Sequence, residues 1–201
     1  AEDHLKSIRE IFIVGKPGSC KTELFLQFCV HAIANRLRVL FRCPTGQLVA
    51  AYRQRLPESE FIRIEAIHAG LAIYRESESL VNHAPPSALR KYDGILLDEC
   101  SQIGNSTDRK LTYAINELPQ KPFVGIAADY KQIQPVGNAG YMARVCKGLT
   151  TVTLNTIYRT DDAELLEFQS IARESQPSRE DLFDFFRGRR WQCSEPDSLL
   201  V

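Results

Sequence analysis

Gly15-Lys16-Pro17-Gly18-Ser19-Cys20-Lys21-Thr22 follows the apolar run Ile11-Phe12-Ile13-Val14 without a break. It leads into a segment where Leu24, Phe25, Phe28, Ala32 and Ile33 recur at helical spacing. A buried strand, a glycine-bearing turn and a helix in that order leave few folds open, and point to a layered α/β sheet. The octet matches G-x-x-x-x-G-K-[ST] except at Cys20, which replaces the second glycine. Such loops turn backbone N–H groups inward at the start of the following helix and cradle a phosphate group. Lys21 is then expected to reach the β- and γ-phosphates of a nucleotide, Thr22 to place its hydroxyl on Mg2+, and Gly18 to let the backbone come close. The cysteine has a conditional cost. If the backbone at position 20 is left-handed, a Cβ there costs roughly 1–2 kcal/mol, about one order of magnitude in affinity.

The same alternation continues along the chain. Strands are expected at 11–15, 38–43, 61–65, 94–98, 123–128 and 151–154, and helices at 21–35, 45–56, 107–118 and 162–174. This pattern predicts a mostly parallel sheet with helices on both faces. Pro85-Pro86, Pro119, Pro122, Gly137-Asn138 and Pro177 mark loops. The alternation lapses after about residue 160, so the 201 residues read as one full domain, 1–160, and the start of another, 161–201.

Net charge is zero, so overall charge gives no support to nucleic-acid binding. Its distribution is more informative: no acidic residue lies between Glu23 and Glu58, whereas Arg36, Arg38, Arg42, Arg53 and Arg55 do. That window fits a local basic face or an ordinary solvated surface. No apolar stretch approaches the roughly 20 residues of a membrane span, and the polar start Ala1-Glu2-Asp3-His4 is unlike a signal peptide. No membrane partner is expected. The six cysteines include no C-x-x-C pair and lie mostly in apolar segments. Buried thiols in a reducing, intracellular compartment are expected, with nucleus, mitochondrion and cytoplasm equally open.

Two further motifs carry chemistry. Ile95-Leu96-Leu97 runs into Asp98-Glu99, and carboxylates at a strand's carboxyl end stand where open α/β sheets bind ligands. Asp98 suits the Mg2+ shell and Glu99 the polarisation of an attacking water; alone, the pair would equally suit a solvated turn. Ala128-Asp129-Tyr130-Lys131-Gln132 also follows an apolar strand. Gln132 offers a neutral amide to a water or a γ-phosphate, and an Asp/Pro turn accounts for the same spacing.

GKPGSCKT at 15–22, CPTGQLVAA at 43–51, IHAGLAI at 67–73, LLDECSQI at 96–103, ADYKQIQPV at 128–136 and LNTIYRT at 154–160 together resemble the superfamily 1 helicases of the RecD-like/Pif-like branch. The resemblance implies a RecA-like P-loop NTPase fold and ATP-driven movement on single-stranded DNA. It implies that residues 15–22 (Gly15, Lys16, Pro17, Gly18, Ser19, Cys20, Lys21, Thr22) with Asp98 hold Mg-ATP, with Thr22 and Asp98 on the metal. Glu99, Gln132 and Arg159 are the implied catalytic residues, Arg159 stabilising charge on the γ-phosphate. Thr45, Gly46 and His68 fall at the family's strand-contacting positions, with Arg53 and Arg55 nearby to meet backbone phosphates. Thr45 would equally serve as a helix N-cap, and His68 as a core histidine.

This sequence departs from the family at Cys20, at Ala128 where glycine is common, and in residues 1–10, where no adenine-contacting glutamine motif stands out. The late motifs of a second motor domain are missing, so the chain alone is not expected to unwind a duplex. Two other readings stay open: an RNA-directed, viral-type superfamily 1 helicase, and a degenerate module that binds nucleotide or nucleic acid without hydrolysis.

Overall fold

The computed structural model describes residues 10–67, 89–116, 118–129, 131–132, 148–175 and 177–187. Contacts divide the chain into two compact units, Ala1–Arg159 and Thr160–Val201. The first holds a six-stranded sheet of β1 (Glu10–Gly15), β2 (Val39–Cys43), β3 (Ile62–Ala66), β4 (Gly94–Leu97), β5 (Phe123–Ala128) and β6 (Thr150–Leu154). Its order is β3-β2-β4-β5-β1-β6, and every pairing is parallel. Each strand begins within one residue of its expected start, a difference inside the ordinary uncertainty of element ends.

Successive residues of a strand face opposite sides, so a sheet covered on both faces has two cores. Leu40 joins Ile95, Leu97, Val124 and Ile126 in one core, backed by Leu111, Ala114 and Ile115 of α3 (Asn105–Asn116). Val39, Phe41 and Cys43 join Ile13, Leu96 and Ala127 in the other. That second core is closed by Phe25, Leu26, Cys29 and Ala32 of α1 (Lys21–Ala34) and by Val49 and Tyr52 of α2 (Gly46–Arg55). The observed fold is therefore the expected one, with an all-parallel sheet instead of a mostly parallel one.

Three expectations need correction. Leu24 is 44% exposed and does not belong to the buried stripe of α1; fully buried Cys29 behaves as a small hydrophobe and sets the phase through Phe25, Cys29 and Ala32. Arg42 does not contribute to a basic face: it is 1% exposed within β2 and pairs at 3.0 Å with Glu65, its register neighbour on β3. In the second unit, α4 (Ala163–Glu174) is followed by an unanticipated α5 (Arg179–Arg187). Its signal was present as a capping box, Ser178 Oγ accepting from Asp181 N–H at 3.0 Å and Asp181 Oδ2 from Ser178 N–H at 2.9 Å.

Candidate nucleotide-binding site

The chemistry-bearing residues gather at the carboxyl ends of the strands, where a parallel sheet presents its ligand side. Gly15 ends β1 beside Leu154 of β6, and a Cβ there would stand 2.9 Å from the Leu154 carbonyl oxygen, so the close approach of two backbones requires glycine. Gly18 has φ +80°, and a Cβ on it would lie 2.7 Å from Arg159 Cβ. The Gly18 carbonyl accepts the Tyr158 N–H at 2.9 Å, fastening the loop to the segment after β6.

Cys20 meets the condition set by its sequence position, with φ 66° and ψ 25° in the left-handed region. The loop nonetheless closes, and the cysteine side chain is exposed. Cys20 is also the N-cap of α1, and no side chain caps that helix. Its first-turn N–H groups are therefore left for a ligand, as an anion at a helix N-terminus requires.

Lys21 is 6% exposed, and its Nζ donates to the carbonyls of Gly15 at 2.8 Å and Lys16 at 3.2 Å. Thr22 Oγ1 donates to Asp98 Oδ2 at 2.7 Å. Asp98 is fully buried and also receives Tyr52 Oη on Oδ2 at 2.8 Å and the Glu99 N–H on Oδ1 at 3.0 Å. Its own N–H donates to the Arg42 carbonyl at 2.9 Å, fixing the end of β4 to β2. Burial, and then the Asp98 charge, push the Tyr52 phenol well above its ordinary value, so it remains a proton donor at neutral pH.

A hydroxyl and a carboxylate are hard oxygen donors suited to Mg2+, which commonly takes one or two protein oxygens and fills its shell with phosphates and water. No group of three His, Cys, Asp or Glu side chains among the described residues forms a self-sufficient metal cage. The donor set thus fits a metal that arrives with a phosphate ligand.

Glu99 has φ 52°, also left-handed. Burial and the nearby Asp98 charge raise its carboxyl above the ordinary glutamate value, Lys21 and Arg159 oppose the rise, and Asp129 adds to it. Its Oε2 is buried without a hydrogen-bond partner. An oxygen so placed, on a carboxylate of raised basicity, suits a general base. Gln132 donates through Nε2 to Asp129 Oδ2 at 3.2 Å and through its backbone N–H to the Asp129 carbonyl at 3.1 Å.

Lys21, Glu99, Gln132 and Arg159 line one cleft of about 470 Å³ with loop residues Pro17 to Thr22. Three residues not anticipated for this cleft, Glu23, Arg55 and Tyr158, also line it. Tyr158 is 72% exposed, and the sequence held a signal in this aromatic beside Arg159 in LNTIYRT. Arg55 is ion-paired with Glu23 at the cleft, whereas Arg53 donates to the Ile64 carbonyl at 2.7 Å. Thr45 caps α2, its Oγ1 accepting from Leu48 N–H at 3.3 Å, and Gly46 faces open space. Thr45, Gly46 and Arg53 do not line the cleft. His68, the rest of IHAGLAI after Ile67, Tyr130 and 133–136 lie outside the described residues.

A family profile described as an AAA domain matches residues 2–188. The RecBCD enzyme subunit RecD of Buchnera aphidicola subsp. Schizaphis graminum is 23% identical over 181 residues, 82% of this chain and 27% of RecD. Among solved structures, the Pif1 helicase from Candida albicans has a TM-score of 0.69 at 17% identity, over 94% of this chain and 46% of its own. Bacteroides Pif1 bound to ssDNA has a TM-score of 0.60 at 19% identity, over 89% and 46%. A Bacteroides Pif1 in complex with ADP-AlF4 gives 0.52 at 19%, over 87% and 44%. The chain spans about a quarter of the curated relative's length and less than half of these solved helicases. At such identities the solved structures speak for the fold, and the profile speaks for the family. The chain belongs to the AAA domain family, and its RecA-like P-loop fold is the one seen in the Pif1 helicases.

Proposed function

We propose that this chain is the first motor domain of a helicase that binds and hydrolyses Mg-ATP at the 15–22 loop and uses it to move on single-stranded DNA. The observation that carries the reading is the 2.7 Å Thr22–Asp98 bond beside a cleft lined by Lys21, Glu99, Gln132 and Arg159. Phosphates occupying the loop compete with the Gly15 and Lys16 carbonyls for the Lys21 ammonium. Thr22 and Asp98 would hold Mg2+, which when bound would offset negative charge on the nucleotide's phosphates. Glu99 takes the proton of a water whose oxygen bonds to the γ-phosphorus as the bond to the β–γ bridging oxygen breaks. Arg159 and Lys21 stabilise the charge that shifts toward those oxygens. Gln132 registers whether the γ-phosphate is present, and Tyr158 offers a ring at the cleft for a base to stack on.

Thr45, Gly46, His68 and Arg53 are proposed to meet the strand, with Arg55 divided between that role and the cleft. Residues 161–201 are proposed as the linker and the start of a second motor domain, and all of them fall in the second compact unit. The strained Cys20 favours one alternative, a module that binds without turnover. Equilibrium titration of Mg-ADP and a non-hydrolysable Mg-ATP analogue into wild type, Lys21→Ala and Cys20→Gly tests the foundation. Binding that is lost in Lys21→Ala and tightened in Cys20→Gly is the expected result. No binding to wild type would sink the proposal.

A further inference from the structure

Tyr52 touches the centre of the site without any role assigned above. It lies in the second turn of α2, 5% exposed, with its ring stacked on Phe41 at 5.1 Å and 11°. The stack fixes the ring and aims the hydroxyl at Asp98 Oδ2, 2.8 Å away. Thr22 Oγ1 donates to the same oxygen at 2.7 Å. A carboxylate oxygen offers two lone pairs, and these two hydroxyls account for both.

The two donors differ in what a metal does to them. Thr22 stands on the phosphate loop's own helix, and its hydroxyl oxygen is needed by Mg2+. Tyr52 stands on another helix, is buried in the core and is held by Phe41. If Thr22 turned away and the Tyr52 hydroxyl were absent, the buried carboxylate would keep no side-chain donor on Oδ2 and would be free to rotate, which would cost metal affinity.

We propose that Tyr52 is a positioning residue for the Mg2+ site, holding the Asp98 carboxylate from α2 while Thr22 is released to the metal. The inference rests on the reading that Mg-nucleotide binds at the 15–22 loop. It would make α2 a link between the turn Thr45-Gly46 at its start, proposed above to meet the strand, and Tyr52 in its second turn, which holds the metal carboxylate.

Tyr52→Phe keeps the ring and its stack and removes only the hydroxyl. ADP is titrated calorimetrically into the full 201-residue chain, in Mg2+ and in EDTA, for wild type, Tyr52→Phe and Phe41→Leu. The readout is the ratio of the affinity in Mg2+ to that in EDTA, which a general loss of stability does not move. Tyr52→Phe is expected to lower the ratio roughly tenfold or more, as a lost hydrogen bond to a charged group implies, with EDTA affinity unchanged. Phe41→Leu, which loosens the same core but keeps the hydroxyl, is expected to hold the wild-type ratio. An unchanged ratio in Tyr52→Phe, or an equal fall in Phe41→Leu, overturns the role of Tyr52 and leaves the proposed function standing. So does a Tyr52→Phe chain that does not fold, since the phenol would then serve the core. No binding of Mg-ADP to wild type overturns the proposed function, and this inference with it.

Discussion

Among the described residues, Cys20, Arg36 and Glu99 are the non-glycine residues with positive φ, and Cys20 and Glu99 both line the cleft. Backbone strain of this kind gathers where a site dictates geometry. At position 20, glycine would relieve roughly 1–2 kcal/mol of left-handed strain, offset by about 0.5–1 kcal/mol of extra chain entropy. The net favours glycine by up to about 1.5 kcal/mol, so Cys20→Gly should raise the thermal midpoint by up to about 3–6 °C; a lowered midpoint in calorimetry would contradict this. Glu99 makes the opposite trade. Its carboxyl is raised in the folded state, so ionisation there costs stability: the cost is absent below the unfolded value of 4.5 and fully present once pH exceeds the folded value. Glu99→Gln should therefore be more stable than wild type at neutral pH, with the gap narrowing as pH falls toward 4.5, while nucleotide turnover is lost. Parallel melting curves from pH 4 to 8 would show whether the gap closes; a constant gap would refute the electrostatic account.

At the scale of elements, the strands were legible because each is a short apolar run bounded by turn residues, as Ile11–Val14 is by Gly15 and Phe123–Ala128 by Pro122 and Asp129. What local pattern could not encode was pairing at a distance. Arg42 reads as a surface charge until Glu65, 23 residues later, is its neighbour across β3. Tyr52 reads as one more core aromatic until Asp98, 46 residues away, accepts its hydroxyl. The convergence of Glu99, Gln132 and Arg159 was legible through family resemblance and not through spacing, since each alone fits a turn or a surface residue.

Helix α2 also separates two arginines that the sequence had grouped. Arg53→Ala should reduce the slope of log affinity against log salt for a deoxythymidine oligonucleotide by about one, with Mg-ADP binding intact. Arg55→Ala should chiefly alter nucleotide binding, because Arg55 borders the cleft with Glu23. Identical effects of the two substitutions in paired titrations would dissolve the distinction.

For the molecule as a whole, the relevant fact is proportion. One RecA-like unit carries Lys21, Glu99 and Arg159, while the solved helicases it resembles are more than twice as long as the part it covers. The 201-residue chain is therefore expected to bind Mg-nucleotide but to displace no strand from a forked duplex. A strand-displacement assay on the chain alone checks this, and measurable unwinding would refute it.

The 2.9 Å bond from the Tyr158 N–H to the Gly18 carbonyl gives the molecule a clock of its own. That amide proton can exchange with deuterium only when the loop lets go of the segment after β6. Its exchange rate therefore counts openings of the phosphate loop directly, in the unlabelled protein, and its slowing on addition of nucleotide would time the closing of the site.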